Sequence, residues 1–99
     1  MTHKEKVLSV KNYWNNKMPM MTIEEMAELT QAISKYERYA CNENYEQIVK
    51  ELADVYIALE AYQMYISNLD LKEDGGDWYW NKMLNDVNEA VEAKLNKKY

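Results

Sequence analysis

The chain holds only two glycines and one proline in 99 residues, and that shortage decides most of what it can become. Tight β-hairpins draw on glycine, asparagine-glycine and proline turns, and a sheet protein of this length would need several. Glu, Lys, Leu, Ala and Met, all good helix formers, fill much of the remainder. The class is therefore all-α, and the length is that of a single domain, 1–99.

Apolar periodicity divides the chain into four helices. The first runs from about Lys4 to Asn16, with Val7, Val10 or Lys11, and Trp14 at helical spacing, and stops in the Met-rich stretch around Pro19. Thr22 with Glu25 three residues on reads as a capping box that opens a second helix, which continues to about Tyr39. Met26, Leu29, Ile33 and Tyr36 form its expected stripe. After a break at Asn42–Asn44, Asn44 and Gln47 suit the start of a third helix over Tyr45–Asn68, striped by Ile48, Leu52, Val55, Leu59, Tyr62 and Ile66. Leu71–Asp77 holds both glycines and reads as a loop, and Asp77 caps a last helix to about Lys97. Trp80, Met83 or Leu84, Val87, Val91 and Leu95 line its expected buried face. Short connections make neighbours antiparallel, so the expected architecture is an antiparallel four-helix bundle.

Composition narrows the partners. Twelve Lys and Arg against 17 Asp and Glu give a net charge of −5, which argues against binding a nucleic acid polymer. No apolar run is long enough to span a membrane and no signal-peptide core is visible, so a cytoplasmic protein is expected. The lone Cys41 excludes an internal disulfide. Nine Tyr, three Trp and seven Met with no Phe suit subunit contacts and adaptable pockets. Tyr56, Ile57, Met64 and Tyr65 lie away from the main stripe of the third helix, and a helix apolar on two sides predicts a homodimer or larger symmetric assembly.

The acids carry the chemistry. Glu25 and Glu28 in the second helix and Glu51 and Asp54 in the third are carboxylate pairs at i, i+3, with each pair on one helix face and able to reach one hard cation. In an antiparallel pairing, 25 with 54 and 28 with 51 share a midpoint between residues 39 and 40, slightly before the predicted break, so the pairs can face each other. The plain alternative is that Glu25 completes the box with Thr22 while the other acids are solvated.

The segment Ile23-Glu-Glu-Met-Ala-Glu-Leu-Thr-Gln-Ala-Ile-Ser-Lys-Tyr-Glu-Arg38, followed by Asn44 and by Ile48-Val-Lys-Glu-Leu-Ala-Asp-Val-Tyr-Ile57, resembles the MazG-like nucleotide pyrophosphohydrolases. The resemblance spans about 23–60, with a weaker match at Ala90–Leu95; Lys50 stands where many relatives carry a further acid. It implies a dimeric or tetrameric all-α enzyme that uses Mg²⁺, with Mn²⁺ as a substitute, to split nucleoside triphosphates into monophosphate and pyrophosphate. By position it makes Glu25, Glu28, Glu51 and Asp54 the metal ligands, and Glu24 and Glu25 the catalytic acids, Glu24 as an accessory that positions water. It makes Lys35, Arg38 and Lys94 phosphate contacts. Trp14 is the expected base-stacking aromatic, with core packing as its alternative.

Two other functions stay open: a superfamily relative acting on phosphoribosyl-ATP or a modified nucleotide, and a helical homo-oligomeric protein-binding module without catalysis. Other signals fail. Asp70–Asn81 resembles a calcium loop but has Asn81 where the bidentate acid belongs. His3 lacks a partner at metal spacing and sits in a terminus expected to fray.

Overall fold

A Thr-x-x-Glu signature occurs twice, at Thr2 and at Thr22, and the two behave differently. At the first, the Thr2 hydroxyl accepts from the Glu5 amide at 3.1 Å while the Glu5 carboxylate accepts from the Thr2 amide at 3.4 Å, a reciprocal capping box. It opens α1, His3–Trp14. Asn15, at φ 48°, ends α1, and a single 3₁₀ turn over Asn15–Lys17 leads into α2, Met18–Arg38. Asparagine accepts positive φ better than most residues.

The second signature does not cap. Pro19 occupies the first turn of α2, where its missing N–H costs nothing, and so starts the helix four residues before Thr22. The Thr22 hydroxyl instead donates to the Met18 carbonyl at 2.8 Å from a buried position inside the helix. The expected Thr22 cap is therefore corrected, and Glu25 is released from any capping role.

The structure, a computed structural model, describes residues 1–68 and 77–96. After α2 come α3, Asn42–Asn68, and α4, Asp77–Leu95. The described residues are all-helical with no strand, and none of their helices is long and apolar enough to cross a membrane. The chain divides into two compact units, Met1–Tyr65 and Ile66–Tyr99. The predicted loop up to residue 76, most of the calcium-loop segment and Lys97 fall outside the described residues.

In the first unit, α2 and α3 are joined by only Tyr39–Cys41, an αα-hairpin centred on residue 40. The expected break at Asn42–Asn44 is corrected: α3 has begun by Asn42, and the Asn44 amide donates back to the Tyr39 carbonyl at 2.8 Å, holding the turn closed. The rings of Tyr36 and Tyr45 flank the same turn at 6.4 Å. At the far end of the hairpin, Val7, Met18 and Ala61 form a buried cluster against which Val10, Trp14, Tyr62, Met64 and Tyr65 pack. His3 also belongs to this end, because its Nε2 lies 2.8 Å from a Glu60 carboxylate oxygen and ties the start of α1 to α3.

The inward faces are shifted from the expected stripes. On α2 the buried or half-buried positions include Met18, Thr22, Glu25, Leu29, Ala32 and Tyr36, whereas Met26 and Ile33 stay 43% and 44% exposed. On α3 they include Ile48, Glu51, Val55, Ala58, Ala61 and Tyr62, with Leu52 and Leu59 exposed. Alanines hold several of the inward positions, and the larger apolar groups Met26, Ile33, Leu52 and Leu59 lie on the exposed flanks. In the second unit the α4 stripe of Leu84, Val87, Val91 and Leu95 is exposed, since the described part of that unit has no second long helix to receive it.

Met18 is fully buried at the centre of the thin core. Met18→Ala should remove about 2–5 kcal/mol of stability. The expected result is a lower urea midpoint with an unchanged slope.

Candidate metal centre

Glu25 stands on the half-buried face of α2 and Glu51 on the buried face of α3, and the three-residue connector fixes the register that brings their carboxylates together. Carboxylate oxygens of Glu25, Glu28 and Glu51 lie within 4.8 Å of one another, an oxygen-only donor set of the kind hard divalent cations take. The real hairpin centre at residue 40 agrees with the midpoint shared by the acid pairs.

Glu51 is the most constrained member. It is only 6% exposed. One of its oxygens, Oε1, accepts from the Gln47 amide at 2.6 Å, while Oε2 is shielded from solvent with no hydrogen-bond partner. Oε2 of Glu25 is in the same condition. Two orphaned, buried carboxylate oxygens in one cluster are unusual, because such groups are normally satisfied.

The cluster acts on its own protonation. Glu25 is pushed above its ordinary carboxylate pKa, first by burial and then by the charges of Glu28, Asp54, Glu51 and Glu24 in that order. Asp54 is half-buried and close enough to act on Glu25, but does not join the 4.8 Å group; Glu24 is exposed beside it. The expected four-ligand set is thus three acids gathered and one at their margin.

A groove of about 670 Å³ runs along the hairpin from this cluster toward the turn. Glu28 and Glu51 line one part and Lys35 and Arg38 another, with Gln47, Asn44 and Glu43 also in its wall. Lys35 and Arg38 are exposed in the last turn of α2 and make no ion pair among the described residues, so their charge is available to an anion. Trp14 is absent from this wall and packs on the Val7, Met18 and Ala61 cluster. Lys94 is exposed on α4, in the other unit.

The contacts of Gln47 differ from the sequence expectation. Spacing pairs it with an Asn44 cap, yet the side chains of both point elsewhere, Asn44 to the turn and Gln47 to Glu51. The i, i+4 spacing of Gln47 and Glu51 was the available signal. Compared with known proteins, the chain matches no family model, no curated protein and no solved structure.

A pKa raised in the fold means that ionising Glu25 works against folding. The penalty is absent below the ordinary carboxylate value of 4.5 and grows as pH rises through the folded value. Glu25→Gln should therefore stabilise the protein in EDTA at pH 7 by about 0.5–1 kcal/mol, since several like-charge contacts of about 0.2–0.5 kcal/mol each are relieved. That gain should shrink toward zero near pH 4 in thermal melts.

Proposed function

We propose that this protein is a Mg²⁺-dependent nucleoside triphosphate pyrophosphohydrolase, converting (d)NTP to (d)NMP and pyrophosphate, as its resemblance to the MazG-like enzymes implies. The observation that carries this reading is the orphaned, buried Oε2 of Glu51 beside the acids of the facing helix. Leaving a buried carboxylate oxygen unpaired is costly, and a divalent cation removes that cost while offsetting the repulsion around it.

Glu25, Glu28 and Glu51 would hold the ion, with Asp54 at the margin completing the set and Mn²⁺ an acceptable substitute. When bound, Mg²⁺ would polarise a phosphoryl oxygen and acidify a water. Glu24, exposed beside the cluster, is the accessory acid that orients the attacking water. Arg38 can grip phosphate oxygens with two parallel bonds, and Lys35 supplies a movable point charge in the same groove. Lys94 is a further phosphate contact in this reading. Trp14 serves packing first, and base stacking only through the edge left open by its half-burial.

Exposed apolar residues support assembly. Ile23, Met26 and Ile33 on α2 and Leu52, Tyr56 and Leu59 on α3 are each at least 40% exposed and recur at helical spacing. In this reading such faces close an antiparallel four-helix bundle and join copies into a homodimer or homotetramer in the cytoplasm. The same Met- and Tyr-rich faces would serve a binding module without catalysis.

Product analysis with Mg²⁺ across ribo- and deoxyribonucleoside triphosphates tests the proposal. Monophosphate and pyrophosphate are expected, with kcat/KM lowered at least about 100-fold in Glu28→Gln. Release of diphosphate and phosphate would overturn it. No turnover together with no Mg²⁺ binding would favour the binding module, and Mg²⁺ binding without turnover would direct the search to phosphoribosyl-ATP or modified nucleotides.

A further inference from the structure

Carboxylates that ligate cations are usually held by a second hydrogen-bonding group that orients them, and losing that group weakens binding even though it never touches the ion. Gln47 is placed to do this for Glu51. The two lie one helical turn apart on α3, and the Gln47 amide donates to Glu51 Oε1 at 2.6 Å, a short contact to an ionisable oxygen. The bond occupies one oxygen and fixes the rotation of the carboxylate about its last side-chain bond. The other oxygen is then left buried, unpartnered and among the acids of α2.

The chemistry of the partner matters as much as its distance. A Lys or Arg here would neutralise Glu51 and compete with a cation, whereas a neutral amide orients the carboxylate and leaves its charge intact. Gln47 is itself exposed on the groove wall, so it is not retained as core packing. It contributes no apolar surface to the Val7, Met18 and Ala61 cluster.

We propose that Gln47 is a positioning residue that presents Glu51 to a divalent cation and thereby sets the affinity of the site. This rests on the metal-centre reading above and goes beyond it by assigning affinity to a side chain that is not a ligand. The defect of a Gln47 variant should consequently be one of metal affinity, recoverable by raising the cation concentration.

The test is Mn²⁺ binding, by calorimetry and by the loss of the free-ion paramagnetic resonance signal, to the full chain and its Gln47→Met, Gln47→Ala and Glu51→Gln variants. Metal-free melting temperatures are measured alongside. Gln47→Met keeps the length of the side chain without its donor, and Gln47→Ala removes both. The expected result is a Kd about 10- to 100-fold higher in both Gln47 variants, with metal-free melting close to that of the parent. Activity of these variants, where the parent has it, should return at high Mg²⁺ with kcat near the parent value.

Parent-like Kd values in both Gln47 variants, with binding lost in Glu51→Gln, would overturn the positioning role while leaving the metal centre standing. No binding to the parent chain would overturn both. Metal-free unfolding of both Gln47 variants would make Gln47 a structural residue and overturn the proposal as well.

Discussion

Where α2 and α3 face each other, two inward positions that a helical hairpin ordinarily fills with apolar side chains are held by Glu25 and Glu51. Burial and the like charges of Glu28, Asp54, Glu51 and Glu24 all disfavour ionising Glu25, each charge contact by about 0.2–0.5 kcal/mol. The single amide bond to Glu51 does nothing for Glu25. That cost is relieved when positive charge arrives, as a proton or as a cation. The raised pKa of Glu25 is the proton's share of that answer.

The rest of the first unit is arranged around this contact. The three-residue connector and the Asn44 bond fix the register, and Ala32 and Ala58 keep two of the buried inward positions small. The apolar payload that would usually stabilise such a hairpin is moved to its far end, where Val7, Met18 and Ala61 meet, and to flanks that remain exposed. A pair of helices that buries charge midway along its contact keeps its core beyond that point. The exposed flanks are what remains when inward positions go to acids and alanines.

The helical class, the four helices and the acid pairs were legible from residue type and spacing alone, because scarce glycine and i, i+3 carboxylates are local facts. What escaped was context. Thr22 satisfies the letter of a capping box, yet Pro19 starts α2 earlier, and nothing within the four residues of the box reveals this. The stripes of α2 and α3 were centred on their largest apolar residues, so Met26, Ile33, Leu52 and Leu59 were expected inside. Close helix approach favours small residues, and the true inward faces run through Ala32, Ala58 and Ala61. The same local logic pairs Asn44 with Gln47, although their partners lie in different directions. The resemblance to MazG-like enzymes drew attention to Asp54 as an equal ligand, whereas the geometry gathers Glu25, Glu28 and Glu51 more tightly.

Because Glu25 and Glu28 come from one helix and Glu51 from the next, anything that bridges them also clasps the hairpin. A ligand that binds the folded chain and not the unfolded one adds RT ln(1 + [L]/Kd) to its stability, about 2.7 kcal/mol at a hundredfold excess over Kd. For a chain with so thin a core, that increment is a sizeable part of what separates folded molecules from those exposed to proteases. On the metal-centre reading, the cellular lifetime of this protein, and hence its abundance, would follow the supply of divalent cation even where its synthesis does not change.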